Sequence, residues 1–141
     1  MRWTPLLRAA QNRRADTVRY LLEHRANVNA KAGYGQTPLT EAISGSVFFH
    51  NVSKEDRDET IRALLAAGAD VNLPCQNGRT PLITAVFQGA VDLVRLLIGK
   101  GADLSAKDEE GKTALDYAEE RDERKIKDIL KNKSVGNSSY K

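Results

Sequence analysis

The run Asn77-Gly78-Arg79-Thr80-Pro81-Leu82-Ile83-Thr84-Ala85 decides how the whole chain is read. Its centre, Thr-Pro-Leu-x-x-Ala, comes back along the sequence. Thr4-Pro5-Leu6 leads to Ala9, Thr37-Pro38-Leu39 to Ala42, and Thr113-Ala114-Leu115 to Ala118. The four threonines are spaced 33, 43 and 33 residues apart. A second phrase keeps step with the first: Arg25-Ala26-Asn27-Val28-Asn29, Gly68-Ala69-Asp70-Val71-Asn72 and Gly101-Ala102-Asp103-Leu104-Ser105. Two phrases locked at one period of about 33 residues are the mark of a stacked-repeat protein.

One unit follows from local physics. The hydroxyl of Thr80 is placed to accept an early backbone N–H, as a helix N-cap does. Pro81 then takes the first helical position, where its missing N–H costs nothing. Leu82 and Ala85 share a face, and the small Ala lets a neighbouring helix come close. Gly89 and Ala90 interrupt the run, and Val91 to Gly99 make a second helix with Val94, Leu97 and Ile98 on one side. Gly101 stands where a left-handed C-terminal cap belongs. Ala102 to Gly111 form a projecting, hairpin-like turn before the next threonine. Such a unit cannot bury its apolar stripes alone, so units must stack.

Thr-Pro-Leu-x-x-Ala, a Leu-Leu pair and Gly-Ala-Asp-Val-Asn at this spacing resemble the ankyrin repeat, over about Arg2 to Lys131. The resemblance implies an all-α solenoid of stacked helix-loop-helix pairs with projecting hairpin-like loops. It has departures. The family usually places His after Thr-Pro-Leu, and this chain has Leu7, Thr40, Ile83 and Asp116 there. The family's turn Asp is kept as Asp108 but replaced by Ala32 and Cys75. Arg25 stands where Gly68 and Gly101 stand, which implies a left-handed arginine strained by about 1 kcal/mol.

The units run from about 2 to 34, 36 to 78, 79 to 111 and 112 to 131, a single domain over 1–131. Residues 132–141 are polar and expected to be a flexible tail. The second unit carries a ten-residue insertion near 45–57. Ser53 reads as a fresh N-cap there, followed by Glu55, Asp56, Asp58 and Glu59, which suit a helix N-terminus. The outer helix of this unit is expected to begin about two turns early. Phe48, Phe49 and His50 precede it. They read either as a cover over apolar surface between helices or as a secondary docking loop. Leu7 and Tyr20 are the expected bare spots of the first unit. In the last, Lys127 and Lys131 replace the apolar residues of the other outer helices, as an end cap requires.

The 141 residues suffice for a sizeable core, and 40% hydrophobic content with 6% aromatic suits an α-repeat. The single cysteine, Cys75, excludes an intrachain disulfide and suits a reducing compartment. No apolar run approaches the ~18 residues of a membrane helix, and Met1-Arg2-Trp3-Thr4 enters a repeat directly, so no signal peptide is expected. The expected location is the cytoplasm, with the nucleus as the alternative. The net charge of +3 is uneven: residues 1–31 carry +5, residues 32–120 carry −6 and residues 121–141 carry +4.

Chemistry finds little support. His24 and His50 are not at metal-ligand spacing with Cys75 or each other. No phosphate-cradling loop or nucleophile signature appears. The Glu109/Glu110 and Glu119/Glu120 pairs fit solvated turns and helix surfaces. No catalytic residue, metal, cofactor or small-molecule substrate is therefore expected, and the chain is read as a monomeric protein-binding module. A regulatory or targeting piece of a larger enzyme is the rival reading. Nucleic-acid binding through the first unit's arginines lacks a recognition helix or an aromatic-interleaved strand.

In a stacked array corresponding positions align in columns. The residues before each threonine are Trp3, Gln36, Arg79 and Lys112. The hairpin tips present Tyr34, Gln76 and Glu109. The inner helices end at Gln11, Ser44, Phe87 with Gln88, and Glu120 with Arg121. The ankyrin resemblance implies that these columns line the partner groove. Trp, Tyr and Arg are also the types that most often anchor interfaces. Trp3, Tyr34, Arg79 and Phe87 are thus the expected anchors, with Gln36, Gln76, Gln88 and Lys112 as adaptable polar contacts. Asn29 and Asn72 are expected to cap the hairpin.

Overall fold

The structure is a computed structural model describing residues 2–45 and 52–138, with side chains through Lys133. Phe48, Phe49 and His50 lie outside the described residues. Among the described residues eight α-helices and one 3-10 turn follow in order. They are α1 (Pro5–Gln11), α2 (Ala15–Glu23), α3 (Pro38–Ser44), α4 (Lys54–Ala66), the turn Gln76–Gly78, α5 (Pro81–Phe87), α6 (Val91–Gly99), α7 (Ala114–Glu120) and α8 (Arg124–Ser138). Among the described residues there is no strand.

Each inner helix starts at its threonine for the reason the sequence supplies. The hydroxyls of Thr4, Thr37, Thr80 and Thr113 accept from the amides of Leu7, Thr40, Ile83 and Asp116 at 3.2, 3.2, 3.3 and 3.2 Å. Thr40 and Asp116 return the favour to the cap amides, closing capping boxes. Ser53 does the same with Asp56 at the head of α4. That helix starts seven residues before Ile61, whereas α6 starts three before the equivalent Val94. The insertion therefore adds about one turn, not the expected two, because Ser53 itself takes the cap.

The inner helices α1, α3, α5 and α7 stack in one row. In the outer row α2 packs on α4 and α6 on α8, while α4 and α6 make little contact. Inner helices are seven residues long and outer ones nine to fifteen. The shared core holds Leu6, Leu39 and Leu82 with Ala9, Ala42, Ala85 and Ala118 from the inner row. Val18, Ile61, Val94, Leu64, Leu97 and Leu130 come from the outer row. In the last unit Ile126 is buried, Lys127 is half-buried, and Lys131 reaches Glu119 at 3.4 Å.

The expected bare spot at Leu7 is a correction: it is fully buried. Leu7, Thr40 and Ile83 are covered and only the last member of the column, Asp116, is exposed. This position faces the following unit, so the first unit loses nothing. Pro38, Pro81 and Ala114 are buried in turn, and Pro5 is exposed. The open end face is therefore at Pro5. Tyr20 is 59% exposed and stacks on His24 at 4.2 Å. The last helix runs to Ser138, past Lys131, where the sequence reading ended it.

Two further features join neighbouring units. The Oδ1 of Asn29 accepts from the amide of Asp70 at 2.8 Å, and that of Asn72 from Asp103 at 2.8 Å. Their amide groups reach the carbonyls of Gly68 and Gly101 at 3.5 and 3.3 Å. These asparagines thus cap the turn of the following unit and tie one unit to the next, while Asn27 and Asp70 accept from amides within their own turns. Arg13 reaches across to α3, donating to the carbonyls of Ala42 and Ile43 at 3.0 and 2.9 Å. It satisfies the carbonyls a helix end leaves open.

Candidate functional site

The free side of the inner row carries three columns, and they differ along the stack. At the first unit Trp3 is 37% exposed, with the guanidinium of Arg8 5.0 Å from its ring centre. Tyr34 is 67% exposed at its turn. The half-buried Gln36 accepts the backbone amide of Tyr34 at 2.9 Å, so its carbonyl oxygen shapes the turn. In the middle, the amide of Gln11 donates to Glu41 at 3.1 Å. Burial pushes the Glu41 carboxyl up, and that hydrogen bond only partly offsets it. Burial likewise raises the Cys75 thiol, which keeps it protonated and a poor nucleophile.

The last two units form a denser cluster. The rings of Phe87 and Tyr117 lie 4.8 Å apart at an interplanar angle of 52°. The guanidinium of Arg79 sits 4.4 Å from the Phe87 centre and 5.9 Å from that of Tyr117. Arg121 approaches Phe87 from its own helix end at 5.3 Å. The ammonium of Lys112 is 5.4 Å from the Tyr117 ring and pairs with Glu120 at 2.7 Å and Glu110 at 3.7 Å. The hydrogen bond from Lys112 to Glu120 holds its ammonium above the usual lysine range. Cations over aromatic faces gain from the ring quadrupole.

Three of the sequence-derived residues, Arg79, Phe87 and Lys112, therefore meet in one cluster. Gln76 and Gln88 are exposed, in the 3-10 turn and at the end of α5. Among the described residues no ring or cation contact ties Trp3 or Tyr34 to the Arg79–Phe87 cluster. Tyr117 is the member that sequence reasoning missed. It belongs to a column not considered there, the residue before each helix alanine: Arg8, Glu41, Thr84 and Tyr117. Its being the lone aromatic of that column was the available signal.

Among the described residues no group of three His, Cys, Asp or Glu is placed to hold a metal. No helix among them is long and apolar enough to cross a membrane. A comparison with curated proteins finds no match. The family model for ankyrin repeats (3 copies) matches residues 1–49 and 48–138. With paired helices, capped threonines and turn-to-turn ties repeated in register, the chain belongs to the ankyrin-repeat family.

Proposed function

We propose that the chain is a protein-binding module that receives a partner polypeptide across the inner-helix face. Ankyrin repeats are generally protein–protein interaction modules, which supports the class of activity. The observation that carries the choice of face is the Arg79–Phe87–Tyr117 cluster, where two arginines and a half-buried ring reach the surface together. Arginine and aromatic side chains in such clusters supply most of an interface's free energy. Trp3 and Tyr34 extend the face towards the first unit, with Gln76 and Gln88 as polar rim. No catalytic constellation is read on this face among the described residues, and the module is proposed to act by binding alone.

The test is capture of partners from source-cell lysate by the intact chain and by a variant with Trp3, Tyr34, Arg79 and Phe87 changed to Ala. Partners should be retained by the first and lost by the second. Equal capture by both, with the variant folded by circular dichroism, would remove the inner face from consideration.

A further inference from the structure

We infer that the corner formed by Arg79, Phe87 and Arg121 seats an acidic side chain of the partner polypeptide, with an apolar residue beside it on the Phe87 ring. The inference rests on the binding reading above and adds the chemistry of the partner. Two guanidiniums converge on one ring, at 4.4 and 5.3 Å from its centre. Among the described residues neither has a carboxylate within ion-pair distance. The Nε of Arg79 is buried and has no acceptor. A buried donor without a partner is costly, and a charged one more so.

The nearby acids are already engaged. Asp108 accepts from the Tyr117 hydroxyl and from the amides of Glu110 and Lys112. Glu110 and Glu120 are drawn to Lys112. The third cation of the cluster thus has its ion-pair partners within the chain, whereas Arg79 acts on Asp108 only from beyond ion-pair distance and the exposed Arg121 has no carboxylate in that range. An incoming carboxylate can accept from a guanidinium fork in the bidentate geometry that arginine favours. A basic segment would be repelled by the two guanidiniums, and a neutral one would leave the exposed Arg121 without a charged acceptor. A nucleic acid is a poorer fit than an acidic peptide. Glu110 and Glu120 lie beside the cluster on Lys112, and a nucleic acid, with a phosphate at every step, would meet them where a single carboxylate on Arg121 need not.

The experiment is selection of a random-peptide display library against the intact chain, followed by affinity measurement of synthetic copies of the winners. Enrichment of Asp or Glu next to an apolar residue is expected. Those peptides should lose about tenfold in affinity with Arg121→Gln and with Arg79→Gln. Arg79→Lys should recover little, because lysine lacks the fork. Arg62→Gln, on the exposed face of α4, should change nothing. Arg121 is exposed, so its variant tests the inference even if Arg79→Gln proves unstable. Winners without acids that are still lost with Phe87→Ala would overturn this inference and keep the inner face. Winners indifferent to Phe87→Ala as well would overturn both. A labelled single-stranded oligonucleotide that binds as tightly as the peptides, and is lost in the same arginine variants, would also overturn it.

Discussion

The hydroxyl of Tyr117, in the last inner helix, donates to Oδ2 of Asp108, in the turn that leads into that helix. The other carboxylate oxygen accepts from the amides of Glu110 at 2.9 Å and Lys112 at 3.1 Å. One carboxylate thus fixes the turn, the start of α7 and a ring of the Arg79–Phe87–Tyr117 cluster. Tyr117→Phe removes the hydroxyl and leaves Asp108, only 8% exposed, short of a donor. Unfolding in urea should show a loss of about 1–2 kcal/mol. An unchanged midpoint would mean that water replaces the bond at no cost.

The same pair gives stability a dependence on pH. Burial pushes the Asp108 carboxyl up. The donors from Tyr117, Lys112 and Glu110, with the positive charge of Arg79, together outweigh it and hold the group below the usual carboxylate range. Its contribution is therefore complete above the unfolded value of about 3.9 and lost as pH falls through the lower folded value. Tyr117 is shifted the other way, by its bond to Asp108 and by burial. That contribution is complete below the unfolded value of about 10 and lost as pH rises through the higher folded one. Thermal melts should show a plateau between these limits with an arm on each side. Tyr117→Phe should abolish its share of the alkaline arm and make the acid arm shallower. Asp103, held down by Ser105, retains part of the acid slope. Identical alkaline arms in the two proteins would contradict this assignment.

Arg13 and Gly45 form a fitted pair. A side-chain carbon added at Gly45, where φ is 71°, would lie 2.6 Å from Nη2 of Arg13. Gly45→Ala should therefore strain the backbone and displace the guanidinium from the carbonyls of Ala42 and Ile43. Arg13→Gln should lose the same bonds, at about 1.5–3 kcal/mol for hydrogen bonds from a charged donor. If both losses have this one origin, the double variant should cost clearly less than the sum. Additive losses in chemical denaturation would show that the two act separately.

Arg25 is exposed and has φ of 65°, at the position where Gly68 and Gly101 have 91° and 93°. Glycine takes this conformation without steric cost. Arg25→Gly should stabilise the fold by up to about 1 kcal/mol, reduced by the greater freedom glycine has when unfolded. A fall in melting temperature would indicate that the Arg25 side chain makes an interaction worth more than the strain.

Asn72→Ala should loosen the tie between the second and third units. The amide of Asp103 would lose its acceptor and the carbonyl of Gly101 its donor. Both lie in exposed turns that water can reach, so about 0.5–1.5 kcal/mol is expected. Hydrogen exchange should quicken at the Asp103 amide first. Unaltered exchange there would remove the asparagine tie as a source of cohesion.

The sequence alone determined the repeat, the starts of the inner helices and the apolar stripes of both rows. Those features depend on contacts within about one helical turn. A threonine hydroxyl meets an amide three residues on, and an apolar stripe follows from 3.6-residue periodicity. It also brought Arg79, Phe87 and Lys112 to notice, because equal positions in equal units must align. Only the tertiary structure decided which faces a neighbour covers. Leu7 is buried and Pro5 bare because one looks towards the next unit and the other away from it. Tyr117 is drawn into the cluster by a ring and two cations from other units and from its own turn. Arg13 reads as surface charge in the sequence. It becomes a helix cap because a second unit brings its carbonyls within reach. Such contacts join residues about thirty apart, and no local preference encodes them.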